Sequence, residues 1–451
     1  MSTKTSTTNV RSKTTTLTLQ EFGQTSSWYS CQKQGERPHT APPKCSVLRS
    51  GGTDVQETGG QWGPNTILPT RIWPLLQQTD SVTDAVKIML ERYQPILHQL
   101  SDDYSITPVR FGQTAVDSCI VMYIMVSSAE TVNIIQQVKG PKPLPILVVK
   151  GNFRLSESQI IITAKSAKSG IGASLSGELY PERVGTMACF LQSASTKRMY
   201  ALTCAHVSTG QSQVQCPTKV DLDYTFNLVQ QAVQDYKERL TVAKQNDRSD
   251  RQAKLQDLKE ASQKQLDSLL LINTNFGRTV FESWGFSTKS DAAITSYTDV
   301  GLIEVDPARV PPAADLNEVE VETLQSLQTI ASYTEPCHGM RVFKRGRHGE
   351  TTGFINAYPS THAFNVTIGD TEFREIIQTW TILADGANRF SQPGDSGALI
   401  IEFGTNAAVG LLFGGGAESD GRVRDITYFL PFSVVLETCE TAGYDLQFPE
   451  M

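Results

Sequence analysis

From about residue 156 onward the sequence breaks into short apolar runs separated by Gly, Pro and polar turns. That punctuation predicts short strands, and a long series of them closes into a barrel or sandwich. One stretch does not obey it. Leu222, Phe226, Val229, Val233, Tyr236 and Leu240 recur at alternating spacings of four and three, which is the apolar stripe of a helix. After a turn at Asn246 to Asp250, Leu255, Leu258, Leu266 and Leu269 carry a second stripe. The spacing predicts an antiparallel αα-hairpin inserted at residues 220–273 of a β domain, its two stripes packed on each other.

The sequence before residue 156 differs in kind. Residues 1–66 are dominated by Ser, Thr, Gly, Gln and Pro, a composition expected to stay disordered. Residues 67–155 predict a small α+β domain of structural or partner-binding role. Val82, Val86, Met89, Leu90 and Tyr93 mark a helix over Ser81 to Leu100, which Pro95 is expected to bend or end early. Strands are predicted at 106–111, 118–126 and 145–149, with a short helix over 129–138. No motif for chemistry lies there.

Composition narrows the partners. With a net charge of -7 and no basic block, the chain asks for no nucleic acid. Its longest apolar run, Cys119 to Val126, is far short of the roughly 20 residues a membrane-spanning helix needs, so it predicts a buried strand and no membrane partner. Eight cysteines are scattered without a close pair or a metal-ligand spacing, so neither metal nor cofactor is expected. The first twenty residues lack the apolar core of a secretory signal. The expected setting is intracellular and cytoplasmic, an organelle transit peptide being the alternative because this stretch is Ser/Thr-rich and free of acids.

Two short motifs carry chemistry. Gln392-Pro393-Gly394-Asp395-Ser396-Gly397-Ala398-Leu399 places a serine on a tight turn that feeds a strand. Its glycines let the N–H groups of Gly394 and Ser396 converge on one point, as an oxyanion requires. Tyr200 to Val207 ends an apolar strand on small residues and then His206, leaving an imidazole room at a cleft. Alone, the first is often an ordinary turn and the second a structural histidine. Serine hydrolysis further needs a carboxylate to hold the imidazole in one tautomer.

Together these motifs resemble the trypsin-like serine protease family, whose patterns are Thr/Ser-Ala-Ala-His and Gly-Asp-Ser-Gly-Gly/Ala. Thr203-Cys204-Ala205-His206 departs only at Cys204, Gly394 to Ala398 fits fully, and His precedes Ser. The resemblance spans about residues 175–440. It implies a mainly β fold of two six-stranded-type barrels with the cleft between them. It implies a serine endopeptidase, with His206 as base, Ser396 as nucleophile and a protein or peptide as substrate. The family's Asp-Ile/Val-Ala/Gly-Leu-Ile/Leu pattern falls on Asp299-Val300-Gly301-Leu302-Ile303, and Asp291 is the alternative carboxylate. Leu412, Phe413 and Gly414 correspond to the strand that pairs with substrate, and Phe390, six before the nucleophile, to the base of the specificity pocket. A Phe there offers no carboxylate to a basic side chain.

Departures from the secreted digestive members matter too. Val207 stands where those carry a disulfide Cys, and Lys168-Ser169-Gly170-Ile171-Gly172 is a poor match to their activation site. The resemblance is therefore to the intracellular, disulfide-free type. In zymogen-activated members the new amino terminus pairs with the Asp before the nucleophile, here Asp395, which must otherwise find another partner or stay solvated. The 190 positions between His206 and Ser396 exceed the family's usual gap, and the αα-hairpin, a surface for a protein partner or self-association, accounts for the excess. A binding or scaffold protein that keeps a protease fold is the alternative function.

Overall fold

A computed structural model describes residues 71–450, apart from 101–102, 113, 117, 139–141, 156–169, 182, 211, 246–248, 289–294, 322–325, 369–370, 386–388 and 419–424. Residues 1–66 and Asp291 thus lie outside the described residues. The N-terminal part runs β1 (Arg71–Trp73), α1 (Asp80–Gln99), β2 (Tyr104–Gly112), β3 (Cys119–Val126), α2 (Ala129–Gln137) and β4 (Ile146–Leu155). β2 and β3 are antiparallel, and α2 is the crossover that lets β4 run parallel to β3. Pro95 does not end α1 early, because the helix continues to Gln99. Four residues from the C-terminus, the proline forfeits one backbone bond where few remain to lose.

The apolar run of β3 is explained by cover on both faces. Met122, Ile124 and Val126 pack with Met89, Tyr93 and Leu97 of α1 and Ile135 of α2. Val121, Tyr123 and Met125 face the other way, into the main core. Residues alternate across a strand, so a strand buried on both sides has no polar half.

The first β unit contains β5 (Ser174–Gly177), β6 (Gly185–Thr186), β7 (Phe190–Ser193), β8 (Met199–Thr203), the one-turn helix α3 (Ala205–Ser208) and β9 (Val214–Gln215). Then come α4 (Lys219–Gln245), α5 (Ser249–Leu269), β10 (Asn275–Thr288) and β11 (Thr295–Val305). Its strands follow the order β7-β8-β11-β10-β9-β5-β6. The ends β6 and β7 are consecutive in the chain, and the bend between them still bonds to β8: Ala188 N–H donates to Leu202 O at 2.8 Å and Leu202 N–H to Cys189 O at 3.0 Å. The sheet therefore curls toward a ring through irregular backbone, whereas the second barrel closes fully.

A short hairpin, β12 (Glu318–Val321) with β13 (Ser326–Thr329), leads to that second barrel. It consists of β14 (Arg341–Gly346), β15 (Gly349–Ile355), β17 (Thr371–Ala384), β18 (Leu399–Glu402), β19 (Ala408–Glu418) and β20 (Asp425–Pro431), with β16 (Ser360–Ile368) paired to β17 outside the ring. Pairings β14–β15, β15–β17, β17–β20, β20–β19, β19–β18 and β18–β14 close a ring of six strands. Helix α6 (Phe432–Thr441) and β21 (Leu446–Gln447) return the chain to β7. The N-terminal strands join this sheet directly, β2 through β16 and β4 through β19. No described helix is long and apolar enough to cross a membrane.

Helices α4 and α5 pack mainly on each other. Val229, Leu266 and Leu269 form one small cluster with Leu222, Phe226 and Ile272, and Leu240, Ala243 and Leu255 a second with Tyr236. Leu258, by contrast, is exposed, outside the stripe in which its spacing placed it. Neither cluster contains a barrel residue. Replacing residues 222–270 by a short Gly/Ser linker should therefore leave both β units folded, since shortening a surface loop changes closure entropy by only about 0.6 kcal/mol per doubling. The melting temperature should move by less than about 5 °C, on the order of 1–2 kcal/mol at this size. An insoluble product would show that the hairpin face packs on a barrel instead.

Candidate active site

His206 lies in α3, directly after β8, where the strand's end delivers it to the seam between the two β units. β8 pairs with β11, Thr203 opposite Gly301, which brings Asp299 beneath the imidazole. Asp299 Oδ2 meets His206 Nδ1 at 2.6 Å, and Oδ1 accepts the His206 backbone N–H at 3.1 Å. Both residues are buried. The Asp-Val-Gly sequence has a steric reason: a Cβ at Gly301 would fall 2.6 Å from Ser208 Oγ and 3.1 Å from Cys204 O. Only glycine lets α3 settle onto β11.

A third donor reaches the carboxylate. Tyr297 Oη–H donates to Asp299 Oδ2 at 3.3 Å. Burial first, and then the Asp299 charge, push the Tyr297 phenol well above its ordinary range, so it stays a donor. Its ring lies 5.0 Å from that of Phe413. Cys204 is also close, its Sγ, a His206 nitrogen and an Asp299 oxygen lying within 4.8 Å of one another. The nitrogen and oxygen are already joined, and the thiol donates to Leu412 O at 3.1 Å. Burial and the Asp299 charge raise the thiol well above its ordinary value, so it remains a neutral packing group.

Ser396 comes from the opposite unit, on the turn between β17 and β18. Gly394 and Gly397 both have positive φ, 95° and 90°. A Cβ on Gly397 would collide with Thr186 O and Thr203 Oγ1, so glycine permits the close approach of the two units. Thr186 N–H donates to Ser396 O at 2.7 Å, and Thr186 Oγ–H to Gly394 O at 2.7 Å. Gly397 N–H donates to Leu412 O at 2.7 Å. Among the described residues, neither Gly394 N–H nor Ser396 N–H has a hydrogen-bond acceptor. The Ser396 hydroxyl donates to Phe413 O at 3.0 Å, while His206 Nε2 has no partner among the described residues.

The remaining sequence candidates divide by alternation along β19. Phe413 faces Tyr297, whereas Leu412 packs inward with Phe390, Val342, Ile400 and Phe429. The Leu412 side chain thus belongs to the barrel core, and its carbonyl, not its side chain, serves the seam. Phe390 is in the same core, its carbonyl held by Thr351 Oγ1 at 2.5 Å. Gly414 pairs with Leu155, and the register runs on to Glu418 opposite Gly151. The edge expected to receive a substrate strand is therefore taken by β4 of the same chain, and both His206 and Ser396 are buried.

The model of peptidase family S64 matches residues 90–443. The chain belongs to that family. No curated protein matches it. Among solved structures it is similar to an alpha-lytic protease homolog N4, at 14% identity over 62% of this chain and 98% of that one, with a TM-score of 0.34, too slight a likeness to carry argument. Membership makes this a peptidase of the chymotrypsin-like serine protease fold.

Sequence reasoning missed three groups around the turn of this S64 peptidase. Lys344 Nζ meets Asp395 Oδ2 at 2.6 Å, with both side chains wholly buried. His348 donates its backbone N–H to Asp395 Oδ1 at 3.3 Å and sets Nδ1 at the same distance. Arg347 grips Asp221, at the start of α4, through Nε at 3.0 Å and Nη2 at 2.5 Å. Burial would raise the Asp395 carboxyl, but Lys344 and His348 outweigh it and hold it at about 2. A depressed folded value stabilises the fold above the ordinary carboxylate range, and that contribution disappears as pH falls through about 2. Urea midpoints should therefore fall between about pH 4 and pH 2, and fall less steeply in Asp395→Asn. Equal slopes would remove Asp395 from the acid transition.

Proposed function

We propose that the protein is a serine endopeptidase in which His206 is the general base, Asp299 its orienting carboxylate and Ser396 the nucleophile. One observation carries the reading: a buried His–Asp pair from one β unit faces a Gly-Asp-Ser-Gly turn from the other, whose Gly394 and Ser396 N–H groups lack acceptors among the described residues. In the reaction the Ser396 hydroxyl, which donates to Phe413 O, would have to exchange that acceptor for His206 Nε2. Bonds of this kind often tighten only with substrate present.

In the reaction, Ser396 Oγ attacks the scissile carbonyl carbon and its proton passes to His206 Nε2. Asp299 keeps Nδ1 protonated and stabilises the imidazolium. The carbonyl oxygen, now anionic, takes the two N–H groups of Gly394 and Ser396. As the C–N bond breaks, the imidazolium returns the proton to the leaving amine. Water then repeats the sequence on the acyl-enzyme: His206 takes its proton, the ester bond to Ser396 breaks, and the proton goes back to Oγ. Tyr297 is a positioning residue, donating to the same Asp299 Oδ2 that meets the imidazole. Phe413 and Tyr297, buried ring against ring beside the base, are the aromatic pair that an uncharged substrate side chain would meet.

A fluorophosphonate is the test, being small enough for a site whose β19 edge is occupied. The adduct should map to Ser396 and be absent from Ser396→Ala, with loss of turnover by about 10⁴-fold to 10⁶-fold. An adduct at another serine, or unchanged turnover in Ser396→Ala, would reject the nucleophile. Tyr297→Phe should slow labelling by about 3-fold to 10-fold, the value of one hydrogen bond of roughly 1 kcal/mol, and Asp299→Asn by about 10⁴-fold. A Tyr297→Phe variant as impaired as Asp299→Asn would make the phenol part of the proton chemistry itself.

A further inference from the structure

Asp395 stands immediately before the nucleophile, and its carboxylate organises the turn. Oδ2 accepts the Gln392 N–H at 2.9 Å while Asp395 N–H donates to Gln392 O at 3.0 Å. The peptide units that aim Gly394 N–H and Ser396 N–H therefore take their direction from where this carboxylate sits. Its position is set from the opposite wall, by Lys344 Nζ at 2.6 Å. Lys344 is on β14, which is paired on both sides, with β15 and with β18, so the ammonium is carried by a strand held within the closed ring. Space around the pair is fully used: a Cβ at Gly346 would strike Asp395 Oδ1 and lie 3.1 Å from Lys344 Nζ.

A buried ion pair is a poor device for stability alone, because desolvation offsets most of its attraction. What it fixes is a conformation. Asp395 has further donors in His348 and Gln392, yet among the described residues only Lys344 brings a full charge to Oδ2 from inside the barrel. In the zymogen-activated proteases that this chain resembles, that partner is an amino terminus created by cleavage. Here the cation is built into a strand.

Resting on the serine-peptidase reading of the turn, we propose that Lys344 is the positioning residue that sets the oxyanion hole, supplying from within β14 the cation that fixes Asp395 and with it the Gly394 and Ser396 N–H groups. The nucleophile turn is thus shaped by folding of the second barrel and needs no free chain end.

The experiment compares the full chain with Lys344→Met, Lys344→Gln and Lys344→Arg by hydrogen exchange and by fluorophosphonate labelling. In Lys344→Met, amide exchange over residues 392–397 should accelerate by about 10-fold or more while that of β7 and β8 stays unchanged. The maximal labelling rate should fall by about 100-fold, the scale of a lost oxyanion donor, with the probe's half-saturation concentration moving by less than about 3-fold. Lys344→Arg should recover most of the rate and Lys344→Gln should not. If Lys344→Met does not fold, Lys344→Gln and Lys344→Arg decide the matter. Protection of 392–397 retained without the charge, or a labelling rate within about 3-fold of the original, overturns the proposal. If the unaltered protein takes no probe at Ser396, the peptidase reading fails, whereas the exchange measurement still decides whether Lys344 sets the turn.

Discussion

Everything in the cleft depends on how two β units that share no strand are held in register at one seam. Thr186 carries most of that duty. Its N–H and Oγ–H both bond to the nucleophile turn, while its carbonyl accepts Thr203 Oγ1 at 2.8 Å from the strand that delivers His206. Arg347 N–H adds a contact to Thr186 Oγ1 at 3.3 Å. A group on one unit can serve a group on the other only if relative motion is held to fractions of an ångström. The Gly397 backbone packed against Thr186 and Thr203, with no room for a Cβ, provides that limit.

The inserted hairpin is tied to the same place. Asp221, in the first turn of α4, is buried against Arg347, and the next residue, His348, touches Asp395. At the other root Arg309 reaches Cys216 O at 2.7 Å and the carbonyls of Asn273 and Asn275. Truncating either member of a buried ion pair strands a charge, which costs about 3–5 kcal/mol. The hairpin's distal packing is its own affair, but its base is continuous with the turn that bears Ser396.

Much of this was legible in the sequence, and the reason is that short motifs record local needs. The glycines of Gly394 to Gly397 reflect positive φ, Gly301 reflects the space α3 takes, and the stripes of α4 and α5 reflect a helical period. Asp299 could be aligned by pattern because it lies within β11, whose partner β8 leads directly into the turn of helix that bears His206. Lys344 with Asp395, and Arg347 with Asp221, could not, since these partners are 51 and 126 positions apart and nothing local demands either. The joining of residues 71–155 to the protease sheet was equally hidden. A strand's edge carries no side-chain pattern that names its neighbour, and β2–β16 and β4–β19 are edge pairings. Alternation also has a limit: it made β19 a strand but did not say that Leu412 turns into the barrel core and Phe413 toward Tyr297.

The β4–β19 pairing bears on recognition as well as on fold. Residues 414–416 are all glycine, so this edge offers a strand its backbone groups and very little else. At Gly416 a Cβ would collide with Met125 Cε, so part of that bareness is required by the packing of β3. Recognition through an edge of this kind is main-chain in character, tolerant of sequence along the strand and selective only where a side chain meets a wall. On the proposed reading that wall would be Phe413 with Tyr297, both buried beside the base. Because Tyr297 also bonds Asp299, a substrate side chain pressed against that ring would bear on the His206–Asp299 pair. Any strand that binds this edge must displace β4 first, so its affinity is measured against an antiparallel partner already in register.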